Sequence, residues 1–162
     1  MRAFRTILML VMVVGLAACA SKFKTYDGPA VTQILIIKHT RQMYLLHGDT
    51  ALKTYQIHLG NEPVGQKHIS GDGKTPEGVY YINRRNPNSE YYLSLGISYP
   101  DVQQVALAKE AGENPGGDIF IHGEGDRKRS GDWTAGCIAV TNKQIEEVYA
   151  MVQDGTPVVI MP

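Results

Sequence analysis

Apolar residues fall along this chain as short runs and alternations rather than as long amphipathic stretches. Ile34 to Ile37 and Met43 to Leu46 are continuous apolar runs of strand length, parted by His39-Thr40-Arg41. Gly48-Asp49 then turns the chain into the stretch from Ala51 to Leu59, where Tyr55, Ile57 and Leu59 alternate with Thr54, Gln56 and His58. A period of two puts one face of a strand on the core and the other in water. Further strands are expected at Val79 to Ile82, with Tyr80 and Tyr81 on opposite faces, and at Tyr91 to Leu95, beyond the Asn86-Pro87-Asn88 turn. Two more follow at Ile119 to His122 and at Val158 to Met161. Between Gly60 and Gly78 lie Pro63, Gly65, Gly71, Gly73 and Pro76, so no regular element fits and a long surface loop is expected.

Two helices stand among these strands. Asp101 can cap a segment running to about Ala111 and stopped by Gly112, with Val102, Val105 and Ala106 on one face. A second starts at Thr141-Asn142, where Thr141 and Gln144 have capping-box spacing. It sets Ile145, Val148, Tyr149 and Val152 at helical intervals before Asp154-Gly155-Thr156-Pro157 ends it. Many short strands with two helices predict a mainly β fold, a sandwich or barrel, over residues 31–162 as one domain without internal repeats.

Composition narrows the function more than the fold. Of 162 residues, 43% are hydrophobic and 20% charged, with sixteen basic side chains against sixteen acidic. Without a basic excess the chain lacks the electrostatic footprint that nucleic acid requires, and no nucleic-acid partner is expected. The start of the chain reads as an address. Arg2 and Arg5 precede an apolar run from Ile7 to Val14, too short to span a bilayer, and then comes Leu16-Ala17-Ala18-Cys19. That ending resembles a bacterial lipobox, which implies a signal peptide over residues 1–18, lipid on Cys19 and a short tether over 19–30; the alternative is a plain signal peptide with Cys19 incidental. Ala20 stands where, by the same resemblance, an aspartate would favour the inner membrane, so the expected location is the periplasmic face of the outer membrane. Loss of the first eighteen residues leaves fourteen basic and sixteen acidic side chains, a net charge of −2. As a flexible coil, the polar stretch from Ala20 to Ala30 would reach about 18 Å. A lipidated Cys19 also leaves Cys137 without a disulfide partner.

Candidate chemistry gathers around that second cysteine. Ile119-Phe120-Ile121-His122-Gly123 reads as a strand ending in a histidine, and after an intervening loop comes Thr134-Ala135-Gly136-Cys137-Ile138. A thiol is a weak nucleophile at neutral pH until a neighbouring imidazole activates it, and His122 at a rigid strand end is such a partner. Gly136 permits a backbone conformation or close approach closed to other residues, and N–H groups of Gly136 and Cys137 can form an oxyanion hole. The residue types therefore fit a cysteine acyl-transfer site; an inert buried cysteine is the competing reading. A zinc site of Cys137, His122 and a third ligand such as His68 lacks compact ligand spacing, and no metal is expected. Trp133 either walls the cleft or packs in the core. Arg127-Lys128-Arg129 is read as a solvated charge run, with contact to acidic substrate as the alternative. His39, His47, His58 and His68 are expected to be surface or structural residues.

These residues carry a resemblance. Ile121-His122-Gly123 followed by Thr134-Ala135-Gly136-Cys137-Ile138 is similar to the signature of the YkuD-type L,D-transpeptidases, and the similarity runs from about Val31 to Pro162. Lys74-Thr75-Pro76-Glu77-Gly78 and Gly155-Thr156-Pro157-Val158 extend it. The resemblance implies attack by Cys137 on the third residue of a peptidoglycan stem tetrapeptide, usually diaminopimelate, with release of D-alanine. His122 would hold the nucleophile as thiolate and serve as general base and acid. A thioester would form and be resolved by an amine of a second stem or by water, without metal or organic cofactor. Gly123, Trp133 and Thr134 would lie along the substrate cleft.

The chain departs from that family pattern at Ala135 and Ala139, where many members have histidine and arginine. Alanine cannot fork onto a carboxylate as arginine does. The stretch from Asp132 to Asn142 is instead similar to a YafK-like branch, in which some members resemble cross-linking enzymes and others hydrolases that cut stem peptides or release a wall-linked lipoprotein. A non-catalytic wall-binding lipoprotein on the same fold is the third alternative.

Overall fold

The computed structural model describes residues 21–162; the expected signal peptide and Cys19 lie outside the described residues. In chain order the elements are β1 (Gln33–Ile37), β2 (Gln42–His47), β3 (Thr50–Gln56), β4 (Gly78–Asn86), β5 (Ser94–Ile97), α1 (Val102–Glu110), β6 (Phe120–His122), β7 (Ile138–Ala139), α2 (Asn142–Met151) and β8 (Pro157–Met161). The strands make one sheet in the order β3-β2-β1-β8-β4-β5-β6-β7. Pairing is parallel between β1 and β8 and between β6 and β7, and antiparallel elsewhere.

The expected alternation decides which face is buried. Ile34 and Ile36 in β1 and Met43 and Leu45 in β2 are fully buried, and Tyr55, Ile57 and Leu59 continue the same inner face through β3 and beyond. Tyr80 is buried and Tyr81 exposed, as adjacent strand residues should be. Helix α2 closes the core with Ile145, Val148 and Met151, and both halves of the Thr141–Gln144 capping box form.

The sheet curls until its two ends meet. After β3 the chain stays extended, and residue His58 forms an antiparallel bridge with Ala139 of β7 while Gly60 bridges Thr134. His58 and Ala139 exchange both backbone hydrogen bonds, at 2.9 and 2.8 Å, and Thr134 N–H donates to Leu59 O at 3.1 Å. These bonds cover edges that would otherwise present unpaired donors and acceptors.

Three expectations need correction. The strand placed at Tyr91 to Leu95 begins only at Ser94, because Tyr92 sits at φ 77 in a turn whose N–H donates to Ser89 O. Helix α1 does not bury the face of Val102, Val105 and Ala106. Both valines are exposed, only Ala108 is buried, and Gln104 anchors the helix by donating to the Tyr80 hydroxyl at 2.6 Å. Finally, the described part of the tether lies against the domain. Lys22 donates to Pro87 O at 2.6 Å, Phe23 packs on Tyr149, and Lys24 pairs with Glu146 at 3.1 Å.

Candidate active site

The parallel register of β6 and β7 places the two principal candidate residues. Ile121 stands opposite Ile138 and His122 opposite Ala139, so Cys137, just before β7, continues the register opposite Phe120. Ile121 and Ile138 are fully buried in the core, and alternation sends Phe120, His122 and Cys137 to the other face. Cys137 and His122 thus become diagonal neighbours on one face of the strand pair.

The loop before Cys137 is held by hydrogen bonds from distant segments. Thr134 is buried; its hydroxyl donates to Cys137 O at 2.7 Å and accepts Gly136 N–H at 3.1 Å. Gly136 sits at φ 133, and a Cβ there would stand 2.7 Å from Lys74 O. Lys74-Thr75 in the glycine-rich loop therefore presses directly on the loop before Cys137. Thr75 is fully buried, accepting Gly60 N–H at 3.0 Å. Asp132 accepts Leu59 N–H at 2.9 Å and pairs with Arg41 at 2.9 Å. On the other side, Asn142 at the start of α2 binds the loop after His122. Its Oδ1 accepts from Glu124 and Gly125 N–H and its Nδ2 donates to Gly125 O.

His122 is 2% exposed, and its Nδ1 lies 2.6 Å from Gly123 O. A carbonyl can only accept, so Nδ1 carries the proton and Nε2 is left with the lone pair that a general base needs. Tyr91 stacks on the imidazole with centroids 4.5 Å apart, and Trp133 meets it edge-on at 5.6 Å. Burial pushes the imidazole below its ordinary range; the Gly123 bond opposes this shift and the Arg129 charge adds to it. Burial pushes the Cys137 thiol up, with a lowering contribution from Phe120 N–H, a raising one from Asp118 and a lowering one from Lys67. Both shifts favour the neutral pair, so a standing thiolate gives way to a resting thiol. Its Sγ accepts Phe120 N–H at 3.4 Å and lies 3.5 Å from Asp118 O, a partner for the thiol proton at rest.

Several expected roles change. Gly136 N–H already donates to Thr134, so of the two anticipated oxyanion donors the Cys137 N–H alone has no acceptor among the described residues. Thr134 braces the loop instead of lining an open cleft. Gly123 is buried beneath Tyr91, where a Cβ would meet Asn142 Oδ1 at 2.6 Å; its carbonyl orients His122. Trp133 walls the imidazole, and its Nε1 is buried without a partner. Arg127, Lys128 and Arg129 are exposed, as a solvated run is, and Arg129 in addition stacks on Trp133, 4.3 Å from the ring centroid. His68 is exposed, and no group of three metal-ligating side chains occurs among the described residues. Asp132 and Asn142 lie in the stretch that carries the branch resemblance, but their bracing contacts, like the stacking of Tyr91, were not readable from sequence, since they bridge segments far apart in the chain.

Comparison with known proteins places these features in a family. Residues 32–160 match the YkuD family, described as an L,D-transpeptidase catalytic domain. YafK of Escherichia coli K12 is 30% identical over 135 residues, covering 81% of this chain and 50% of YafK. The helical cell shape determining protein Pgp2 of Campylobacter jejuni is similar in structure, with a TM-score of 0.63, 32% identity and coverage of 84% of this chain and 48% of that one. An Enterococcus faecium L,D-transpeptidase shares the fold at a TM-score of 0.55 and 17% identity, with 82% of this chain and 50% of that one covered. The chain spans about half the length of these relatives.

Proposed function

The chain belongs to the YkuD family of L,D-transpeptidase catalytic domains, and from that membership we propose that it is a peptidoglycan L,D-transpeptidase working through a cysteine thioester on stem tetrapeptides. The observation that carries this reading is the β6–β7 register, which sets Cys137 and His122 on one face. Cys137 Sγ attacks the carbonyl of the third stem residue as His122 Nε2 takes the thiol proton. The S–C bond forms, the amide C–N bond breaks, and the proton passes from His122 to the departing D-alanine. In the second half, His122 deprotonates an incoming amine, the new C–N bond forms, the S–C bond breaks and the proton passes from His122 to the sulfur. Cys137 N–H supports the oxyanion in both steps, an interaction worth ~3 kcal/mol per donor in comparable sites.

A stem tetrapeptide or carbapenem should leave a mass adduct on Cys137 in the unaltered protein and none in Cys137→Ser. An undiminished adduct in that variant would sink the assignment. Ala139 favours a second reading, hydrolysis of stem peptides or of a lipoprotein link to the wall. It is fully buried and bridged to His58, so that position offers no guanidinium to a substrate carboxylate. Defined muropeptides with an amine acceptor separate the two: cross-linked dimers support joining, truncated products alone support cutting. A wall-binding protein without catalysis would give neither product nor adduct. Export and anchoring through lipid on Cys19, at the periplasmic face of the outer membrane, belong to the same proposal; Cys19→Ala should release the protein from the membrane fraction.

A further inference from the structure

The tether reaches the His122 side of the domain through one turn. Residues 87–92 form it, with Asn88 N–H donating to Asn86 Oδ1, Tyr91 N–H to Ser89 Oγ and Tyr92 N–H to Ser89 O. Tyr92 is held there at φ 77, a conformation that residues with side chains keep only where their surroundings impose it. Part of those surroundings is the tether. Half-buried Lys22 spans the turn, donating to Pro87 O at 2.6 Å and to Tyr92 O at 3.3 Å, and its ammonium lies 5.4 Å from the centroid of the Tyr92 ring. The Tyr92 hydroxyl donates to Glu146 at 2.7 Å, and Lys24 pairs with the other oxygen of that carboxylate at 3.1 Å. Between the two lysines, Phe23 packs on Tyr149 of α2. Two consecutive tyrosines therefore serve two neighbours. Tyr92 is gripped by the tether, while Tyr91 stacks on His122 with centroids 4.5 Å apart and planes 29° apart. Tyr91 O also accepts the N–H of Gly123, whose carbonyl takes the Nδ1 proton of His122.

We propose that Lys22 is a positioning residue for His122, acting through the 87–92 turn that sets Tyr91 on the imidazole. The proposal rests on the acyl-transfer reading of Cys137 and His122. Nδ1 is committed to Gly123 O, so the plane of the imidazole decides where the Nε2 lone pair points, and the stacked Tyr91 ring fixes that plane. A base displaced by about 1 Å loses rate steeply, which gives the setting of the turn a catalytic consequence. An ammonium on a flexible stem has three donors, so one side chain can join both ends of the turn and still rest against the Tyr92 ring. The tether is in this sense part of the site, although none of its residues touches the reacting pair.

Proton NMR of the purified protein tests the assignment without turnover. The ring signals of His122 are those lost in His122→Gln. A stacked tyrosine shifts them upfield, and Tyr91→Leu gives their position without it. Lys22→Met keeps the aliphatic stem and removes the donors; the signals should move toward the Tyr91→Leu position, and acylation of Cys137 by a carbapenem should slow about tenfold. Lys22→Arg should restore both, since a guanidinium can bridge the same carbonyls and lie over the same ring. Tyr92→Leu leaves the tether whole, removes the ring it grips and should act as Lys22→Met does. Unmoved His122 signals in Lys22→Met and Tyr92→Leu would overturn the proposal, even with a lowered urea midpoint, and so would a change in Lys22→Met that Lys22→Arg leaves uncorrected. An adduct on Cys137 with unmoved signals rejects the positioning role alone, whereas no adduct in the unaltered protein rejects the acyl-transfer reading itself.

Discussion

Thr134 holds the loop before Cys137 from both directions, taking the N–H of Gly136 and giving its own proton to the carbonyl of Cys137. Thr134→Val keeps the shape and removes both bonds, leaving two backbone groups without partners in a buried place. A loss of about 1–3 kcal/mol in urea unfolding is expected, with slower acylation, while Thr134→Ser should retain most of both. Gly136→Ala meets two obstacles at once, the positive φ and Lys74 O at 2.7 Å. It should cost about 1–3 kcal/mol and reduce adduct formation severely. The shifts of the reacting pair have opposite signs and a joint effect on rate. With His122 depressed from its ordinary 6.5, the base stays neutral into mildly acidic solution, so the acid limb of kcat/KM should lie below that value. The raised thiol keeps the neutral pair intact above neutrality, so the rate should stay level there and fall only above the thiol's ordinary 9.0. Arg129→Gln removes a like charge and should move the acid limb upward; an unmoved limb would show that the guanidinium does not act on the imidazole.

The two helices contrast in how much the domain depends on them. Thr141→Ala breaks the capping box of α2, which carries Ile145, Val148 and Met151 into the core, and about 1 kcal/mol should be lost in thermal or urea unfolding. Polar replacement of Val102 or Leu107 on α1 should change stability by less than about 0.5 kcal/mol, because both side chains stand in solvent. The difference also explains what the amino-acid pattern disclosed. Strands β1 and β2 were legible because alternation or an apolar run reports a face that must be buried, and α2 because its cap and stripe agree. Strand β7 has two residues and hence no period to read. The aromatic run Tyr91-Tyr92 has strand propensity, yet a positive φ at Tyr92 and its bond to Ser89 O impose a turn. At the site, Cys137 and His122 were legible from their residue types and order. The braces Asp132, Thr75 and Asn142 were not, since each acts on a segment brought near only by the curl of the sheet.

At the scale of the whole molecule, acid stability should follow one carboxylate in the glycine-rich loop. Burial alone would raise Asp72, but Lys67 and the N–H groups of His68, Lys74 and Ile69 bring it from 3.8 down to about 2. The folded value lies below the unfolded one, so its stabilising contribution is complete above pH 3.8 and is lost as pH falls toward 2. Urea midpoints measured between pH 5 and pH 2 should drop over that lower interval, and Asp72→Asn should flatten the drop while lowering stability at pH 5. The same loop reaches the seam where the sheet closes, at His58, Gly60, Thr134 and Ala139. A latch in that position changes what inactivation means for this protein. Cys137 sits two places from Ala139, whose bonds to His58 join one end of the sheet to the other, so opening that seam also displaces the loop of Cys137. Catalytic decay and loss of β structure should therefore trace a single curve on heating or in denaturant.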